Sequence, residues 1–166
     1  PIEKFIIANG DGGNGKGVIN ELVMDTCGDF GYQASNSVLL NPIKDGGNPA
    51  IANMNKKRLI CYREPDEKKS INLSAVKELT GGKSITARKL YSNEDSVMLV
   101  GTHILECNKK CQMTGNLDNS IHRRIRDIPF VATYTHDESQ LKMADDLNFI
   151  RKADPYFKTA GFQKNI

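Results

Sequence analysis

Short apolar runs separated by turn-forming residues make up most of the chain. The run "FIIA" at residues 5–8 is cut off by an asparagine and a glycine, which is typical of a buried strand that ends in a loop. Residues 15–28 then place Val18, Leu22 and Val23 at helical spacing, and this pattern stops at a glycine. The start of the chain therefore predicts a strand, a glycine-rich loop and a helix.

The middle of the chain alternates strand-like and helix-like segments. Residues 48–55 and 70–82 predict helices, and the apolar run at 57–64 predicts a strand between them. Residues 83–108 predict two strands joined around "SNED", the second of which continues into a third strand. Residues 123–130 predict a further short strand. This alternation favours a mostly parallel sheet with helices on both faces.

From residue 135 onward the pattern becomes amphipathic and helical. We therefore predict an α/β fold with a core at residues 1–132 and the start of a C-terminal helical region, which we expect to be truncated, at residues 133–166. A chain of 166 residues with 39% hydrophobic residues suits a single globular domain. Its apolar runs are far shorter than the ~20 residues of a membrane span, and we expect an intracellular protein with no membrane partner.

The net charge of +3 is mild, but positive charge is clustered. Any one basic cluster is usually a solvated surface, whereas several in one small domain favour a phosphate-bearing ligand. The clusters lie at residues 55–58, 87–89, 108–110 and 122–126.

The four cysteines are Cys27, Cys61, Cys107 and Cys111, and no dense disulfide framework is visible among them. His103 with the last two cysteines invites a metal interpretation, but the spacing matches no standard zinc pattern. We favour reduced, buried thiols and a histidine packed within a strand.

The segment "GDGGNGK" matches a phosphate-binding loop, G-x-x-x-x-G-K, between a predicted strand and a predicted helix. Glycines in such a loop let backbone N–H groups point at phosphate oxygens, the helix N-terminus adds partial positive charge, and the lysine contacts the terminal phosphates. The candidate nucleotide-binding residues are Gly10, Asp11, Gly12, Gly13, Asn14, Gly15, Lys16, Gly17 and Val18.

The loop lacks the hydroxyl that normally contacts Mg²⁺, because Gly17 and Val18 follow the lysine. This argues against a small-molecule kinase and supports nucleotide binding more firmly than hydrolysis. Mg²⁺ can still be held by phosphates, water and one carboxylate. Glu64, at the end of the predicted strand at 57–64, is the candidate, and the alternative is an ordinary surface acid.

Five segments in this order resemble the superfamily 3 helicase motor, most of all the primase-helicases of large nucleocytoplasmic DNA viruses, poxviruses and satellite phages. They are "GDGGNGKG", "KRLICYREP", "LSAVKELTGGKSITARKLY", "ILECN" and "IHRRIRDIPF". The resemblance covers residues 4–130. It implies a P-loop NTPase with an AAA+-like sheet and a β-hairpin insertion before the sensor strand. It also implies an ATP-driven DNA helicase of viral or phage-type replication that uses ATP and Mg²⁺.

The resemblance also implies roles for individual residues. Lys16 would be the Walker A lysine, Glu64 the Walker B glutamate and metal ligand, and Asn108 the polar sensor of the γ-phosphate. Arg124 would be the arginine finger that reaches into the next subunit, and its neighbour Arg123 could exchange roles with it.

The predicted hairpin would be the family's DNA-tracking loop, in which Lys83, Arg88 and Lys89 contact backbone phosphates of single-stranded DNA. A finger that acts on the next subunit implies a homo-oligomer, a hexamer when full length, and the resemblance allows a primase domain on the same full-length chain. Such a protein would act in a host cell's cytoplasm or nucleus, or in a bacterial cytoplasm for a phage.

Two departures from the family keep other functions open. Gly17 replaces the usual Ser or Thr, and Arg63 precedes Glu64 where related ATPases often carry aspartate. One alternative is a nucleotide-binding assembly subunit with weak or no hydrolysis. The other is a DNA-binding regulatory module that uses the loop only for phosphate contacts.

Overall fold

The computed structural model of the chain describes residues 2–44, 46–65, 68–82, 84–88, 96–145, 148–159 and Phe162. The strands are β1 (Phe5–Asn9), β2 (Gly31–Ala34), β3 (Gly46–Gly47), β4 (Leu59–Tyr62), β5 (Ile71–Asn72), β6 (Ser84–Arg88), β7 (Ser96–Met98), β8 (Thr102–Cys107), β9 (Met113–Thr114), β10 (Ile125–Pro129), β11 (Thr133–Thr135) and β12 (Ile150–Lys152). The helices are α1 (Lys16–Cys27), α2 (Ser37–Leu40), α3 (Pro49–Ala52), α4 (Leu73–Leu79), α5 (Asn119–His122) and α6 (Glu138–Leu141), with 3-10 helices at Gly28–Phe30 and Pro155–Lys158.

Five parallel strands form the central sheet, in the order β10, β1, β8, β4, β2. Every residue of β4 is buried, as expected for an inner strand of a parallel sheet that is covered on both faces. Strand β10 lies at an edge, where Pro129 is tolerated because the outer side needs no hydrogen-bond donor. The predicted mostly parallel α/β sheet is confirmed, and β2 is a strand that the sequence did not predict.

The core contains a cluster of three near-parallel rings, those of Phe5, Tyr62 and His103, whose centroids lie about 6 Å from one another. The Nε2 atom of His103 lies 3.1 Å from the carbonyl oxygen of Leu79, so Nε2 carries the proton. The Nδ1 atom therefore accepts from the Tyr62 hydroxyl, 3.0 Å away. Burial lowers the pKa of His103 to about 4, which keeps the ring neutral. His103 is thus the packed strand histidine that we favoured over a metal ligand.

Strands β6 and β7 form the antiparallel hairpin that was predicted before the third apolar strand. Ile85 pairs with Val97 across the hairpin, and both side chains are buried. Strand β3 adds to the other side of β6, which makes a small sheet of three strands. The hairpin thus has its own buried face, and β8 begins only after a separate connection at residues 99–101.

The predicted C-terminal helical region is wrong for the described part of residues 133–166. It consists of the parallel pair β11 and β12, the four-residue helix α6 and a 3-10 helix. Helix α6 buries none of its residues, so no apolar face stabilises a longer helix. Met143, just beyond it, is largely exposed, and Asn148 folds back to donate to the Met143 carbonyl oxygen.

No helix among the described residues combines the length and the apolar character that crossing a membrane requires.

Candidate nucleotide-binding site

The glycine-rich loop at residues 10–15 connects the end of β1 to the start of α1. Gly10, Gly13 and Gly15 have φ values of 144°, 77° and 84°, which side-chain-bearing residues rarely adopt. Gly15 is the N-cap of α1 and has no side chain to accept hydrogen bonds from the first amides of the helix. The predicted strand, loop and helix are confirmed, with the geometry of an anion-binding turn.

Lys16 is folded back over this loop and is only 5% exposed. Its Nζ donates to the Gly10 carbonyl oxygen, to Asn14 Oδ1 at 3.1 Å, to Asn108 Oδ1 at 3.3 Å and to the Asp11 carbonyl oxygen at 3.4 Å. All four acceptors are neutral oxygens. They hold the ammonium group in place without neutralising its charge, which stays available to an anionic ligand.

Glu64 and Asn108 meet at the same edge of the sheet as the loop. The register pairs Asn9 with Cys107 and Tyr62 with Leu105, so the ends of β1, β8 and β4 lie side by side. The Asn108 backbone N–H donates to Glu64 Oε1 at 3.0 Å, and its Nδ2 donates to Oε2 at 2.8 Å. Both carboxylate oxygens are therefore oriented by one residue.

Lys16, Asn108 and Glu64 thus form a continuous chain of hydrogen bonds across three neighbouring strand ends. The structure brings together three of the four residues that the sequence singled out for catalysis. Their individual roles stay predictions, and their common location is a property of the fold.

Sequence reasoning missed Glu106, which lies on β8 two residues before Asn108. Its Oε1 accepts a hydrogen bond of 2.6 Å from Nδ2 of Asn20, a residue of α1 that is 8% exposed. A Cβ atom on Gly17 would lie 4.0 Å from Glu106 Oε2. The period of two along a strand places residues 106 and 108 on one face, so this carboxylate was detectable once Asn108 had been chosen.

The segment that follows β10 packs directly on the loop. The Phe130 backbone N–H donates to the Asn9 carbonyl oxygen at 2.7 Å, and its own carbonyl oxygen accepts from Asn14 Nδ2 at 3.2 Å. Tyr134 donates its backbone N–H to the Gly13 carbonyl oxygen at 2.7 Å. These contacts border a cleft of about 290 Å³ lined by Asn9, Gly10, Asp11, Asn14, Pro129, Phe130, Val131, Ala132 and Thr133.

Arg124 immediately precedes β10, so it lies at the amino ends of the parallel strands, whereas Lys16 follows the carboxyl end of β1. The structure therefore does not bring Arg124 to Lys16. Its side chain is 7% exposed, pairs with Glu3 at 3.2 Å and donates to the Ser120 carbonyl oxygen at 2.8 Å. Within the single chain Arg124 is therefore held by its own neighbours, and its role as an arginine finger stays a prediction. The Arg123 side chain pairs with the same Glu3 at 2.9 Å but is 61% exposed.

The predicted DNA contacts cannot be placed in the same way. Lys83, Lys89 and the side chain of Arg88 lie outside the described residues, although the hairpin strands β6 and β7 that flank them are described. Contact of these residues with DNA stays a prediction.

All four cysteines are free, and Cys61 and Cys107 are buried as expected. Burial raises the pKa of the Cys61 thiol to about 11. Among the described residues, no three side chains of His, Cys, Asp or Glu form a group that could hold a metal ion. Mg²⁺ needs fewer protein ligands, because one or two carboxylates with phosphates and water suffice. Glu64 offers the hard oxygen atoms that this ion prefers.

Comparison with known proteins gives sequence relatives among viruses. Over 145 residues the chain is 31% identical to "Putative helicase L207/L206" of Acanthamoeba polyphaga mimivirus, which covers 85% of the chain and 15% of that protein. It is 28% identical over 137 residues to "Primase D5" of fowlpox virus, which covers 80% of the chain and 17% of that protein. The chain therefore spans about one sixth of the length of these relatives. No protein-family model matches it.

The fold has solved counterparts. The apo C-terminal region of NrS-1 matches 99% of the chain and 34% of its own length, with a TM-score of 0.63 and 14% sequence identity. At this identity the match concerns the fold alone. Sequence and fold together place the chain in the viral primase-helicase type.

Proposed function

We propose that this chain is the ATP-hydrolysing motor core of a DNA helicase for viral or phage-type genome replication. The observation that carries the proposal is the hydrogen-bonded chain from Lys16 through Asn108 to Glu64. Phosphoryl transfer needs positive charge at the terminal phosphates and an oriented water molecule, and this arrangement offers a group for each. The viral helicase and primase relatives support the same role.

Each residue has a distinct part in the proposed reaction. The Lys16 ammonium, held by neutral oxygens, exchanges loop carbonyl oxygens for phosphate oxygens of ATP. Glu64 orients the attacking water, and Asn108 fixes the carboxylate relative to the lysine, since it contacts both. Bound Mg²⁺ would neutralise charge that develops on the phosphate oxygens, and Glu64 would hold it directly or through water.

Oligomerisation and DNA binding complete the proposal. Exposed Arg123 acts as the arginine finger on a neighbouring subunit of a ring, a hexamer when full length, and a finger of this kind accelerates hydrolysis on the order of 10³–10⁵-fold. Single-stranded DNA passes the hairpin of β6 and β7, and Lys83, Arg88 and Lys89 contact its phosphates. The resemblance extends the proposal to a primase domain on the full-length chain.

Phosphate release from ATP and Mg²⁺, measured with and without single-stranded DNA, tests the proposal. We expect turnover that DNA stimulates, and a loss of about 10²-fold or more in both Lys16→Ala and Glu64→Gln. Glu64→Gln should still bind ADP, whereas Lys16→Ala should not. Matched controls are Lys142→Ala and Glu138→Gln, two exposed residues of the C-terminal segment that should leave turnover unchanged.

The outcomes separate the motor from its alternative. Tight nucleotide binding without turnover in a ring-forming protein favours an assembly subunit, which Gly17 and Arg63 would suit. Absence of any nucleotide binding that depends on Lys16 overturns both.

A further inference from the structure

We infer that a carboxylate oxygen of Glu106 contacts the Mg²⁺ of a bound nucleotide, in place of the hydroxyl that the phosphate loop lacks. This inference rests on the proposed nucleotide site, and it assigns a further metal-facing residue within it. Two positions that normally contribute oxygen near the metal carry none here. Gly17 has no side chain, and Arg63 has a guanidinium group in place of a carboxylate.

The position of the Glu106 carboxylate matches the missing hydroxyl. A Cβ atom built on Gly17 would lie 4.0 Å from Glu106 Oε2, the nearest heavy atom outside the neighbouring residues and backbone of α1. A serine or threonine hydroxyl would extend one bond beyond that Cβ. The Glu106 oxygen therefore lies next to the space into which the usual Mg²⁺-contacting hydroxyl would project.

The carboxylate is also held in a defined orientation. Its Oε1 accepts a hydrogen bond of 2.6 Å from Asn20, whose side chain is buried between α1 and β8. Oε2 is then the oxygen that faces Gly17 and the start of α1. A charged side chain fixed in this way loses little conformational freedom when it binds a ligand, and carboxylate oxygen is the ligand type that Mg²⁺ prefers.

Glu106 complements Glu64 across β8 and β4. Glu64 is already bound through both oxygens by Asn108 and lies on the Asn108 side of Lys16. Glu106 lies on the α1 side, beside Gly17. The two carboxylates thus have different anchors, Asn108 and Asn20, and a pair of carboxylates suits an ion that keeps several of its waters.

The experiment compares ADP affinity in excess Mg²⁺ with ADP affinity in EDTA, by isothermal titration calorimetry. The Kd in EDTA divided by the Kd in Mg²⁺ measures how much the metal strengthens ADP binding. We expect Glu106→Gln to reduce this ratio by about 10–100-fold and to leave affinity in EDTA nearly unchanged. The matched control is Glu21→Gln, which removes an exposed carboxylate from α1, the helix that Glu106 faces. This variant should keep the wild-type ratio.

Rescue gives a second test that a purely structural role would not pass. We expect Gly17→Ser, which restores the usual hydroxyl, to recover much of the lost ratio in the Glu106→Gln background. If Glu106→Gln proves unstable, Glu106→Asp keeps the charge and withdraws it by one methylene, and it should lower the ratio to an intermediate value.

An unchanged ratio in Glu106→Gln overturns the inference and leaves Glu106 as an anchor for Asn20. That result does not touch the proposed function as long as Lys16→Ala abolishes ADP binding. Failure of the proposed nucleotide site has a different signature, since the wild-type protein would then bind ADP in neither buffer, and failure of hydrolysis alone would appear only in the phosphate-release assay.

Discussion

Substitution of Gly10 tests whether the phosphate loop is held in its conformation by the segment after β10. A Cβ on Gly10 would lie 2.4 Å from the Phe130 carbonyl oxygen and 2.7 Å from Asn14 Nδ2. Rotation of a side chain cannot relieve the first contact, because the oxygen belongs to the backbone. The φ of +144° is itself unfavourable for any residue with a side chain.

These two effects set the magnitude for Gly10→Ala. An unfavourable backbone conformation costs about 1–3 kcal/mol, and an overpacked site costs about 1–3 kcal/mol more. We expect the free energy of unfolding to fall by roughly 2–6 kcal/mol, a large share of the stability of a small domain. Gly12→Ala in the same loop is the matched control. Its Cβ meets no atom within 4 Å, so its effect should stay within about 0.5 kcal/mol.

Equilibrium urea unfolding of the wild type and both variants measures these differences. Titration with ADP shows whether the loop still binds, and we expect Gly10→Ala to bind more weakly because Asn14, which contacts Lys16, must move. Equal stability of Gly10→Ala and Gly12→Ala would refute the reasoning. It would mean that the contact between the loop and Phe130 gives way at no cost.

Three further predictions concern pH, the arginine pair and the sensor. As the pH falls from about 6.5 to about 4, the free energy of unfolding should drop by about 3 kcal/mol, because His103 is neutral in the folded protein and protonated in the unfolded chain. Urea titrations across this range measure how steeply stability depends on pH in the wild type and in His103→Gln. The two proteins should differ in this dependence, and an equal dependence would contradict the prediction. Arg123→Ala should lower turnover of the assembled protein and leave the free energy of unfolding unchanged, as measured by ATPase and urea assays. Arg124→Ala should lower the free energy of unfolding by about 1–3 kcal/mol. The opposite pattern would show that Arg124 is the arginine finger. Asn108→Ala should retain ADP binding and lower turnover about tenfold because one of its two hydrogen bonds to Glu64 is lost, and unchanged phosphate release would show that Glu64 orients itself.

The inner strands of the sheet were predicted from the sequence because buried strands consist of apolar residues. Strands β1, β4 and β8 are apolar runs that end in turn residues, and the loop and α1 follow a known pattern. The hairpin of β6 and β7 was equally accessible, since its arms are separated by polar, turn-forming residues. These predictions needed only local information.

Strand β2 and the C-terminal segment depend on partners that local patterns do not reveal. The residues of β2, "GYQA", contain no apolar run, and the strand exists because β4 offers its edge and Ala34 is buried. In the C-terminal segment the apolar residues mimic a helical stripe, but Met143 and Tyr156 are exposed, so burial does not support a helix. Periodicity predicts structure only where a core receives the apolar face.

The site shows the same limit at the level of single residues. Spacing identified Lys16, Glu64 and Asn108, whose places at strand ends follow from the parallel sheet. It could not decide between Arg123 and Arg124, because Glu3 pairs with both, and only burial and the Ser120 carbonyl oxygen set Arg124 apart. Glu106 was missed for a related reason. A glutamate within a strand becomes a candidate metal ligand only when the structure shows Gly17 next to it.

The loss of the loop hydroxyl and the presence of Glu106 are best understood together. A Cβ at position 17 would lie 4.0 Å from Glu106 Oε2, so the two positions are next to each other and glycine leaves open the space between them. Asn20, one helical turn after Gly17, then holds the same carboxylate in place. If the three positions act as a unit, Gly17→Ser alone should bring little gain in Mg²⁺-dependent ADP affinity, because its hydroxyl would donate to Glu106 instead of contacting the metal. The same substitution should help only when Glu106 has been neutralised, and this non-additivity separates a shared metal site from two independent features.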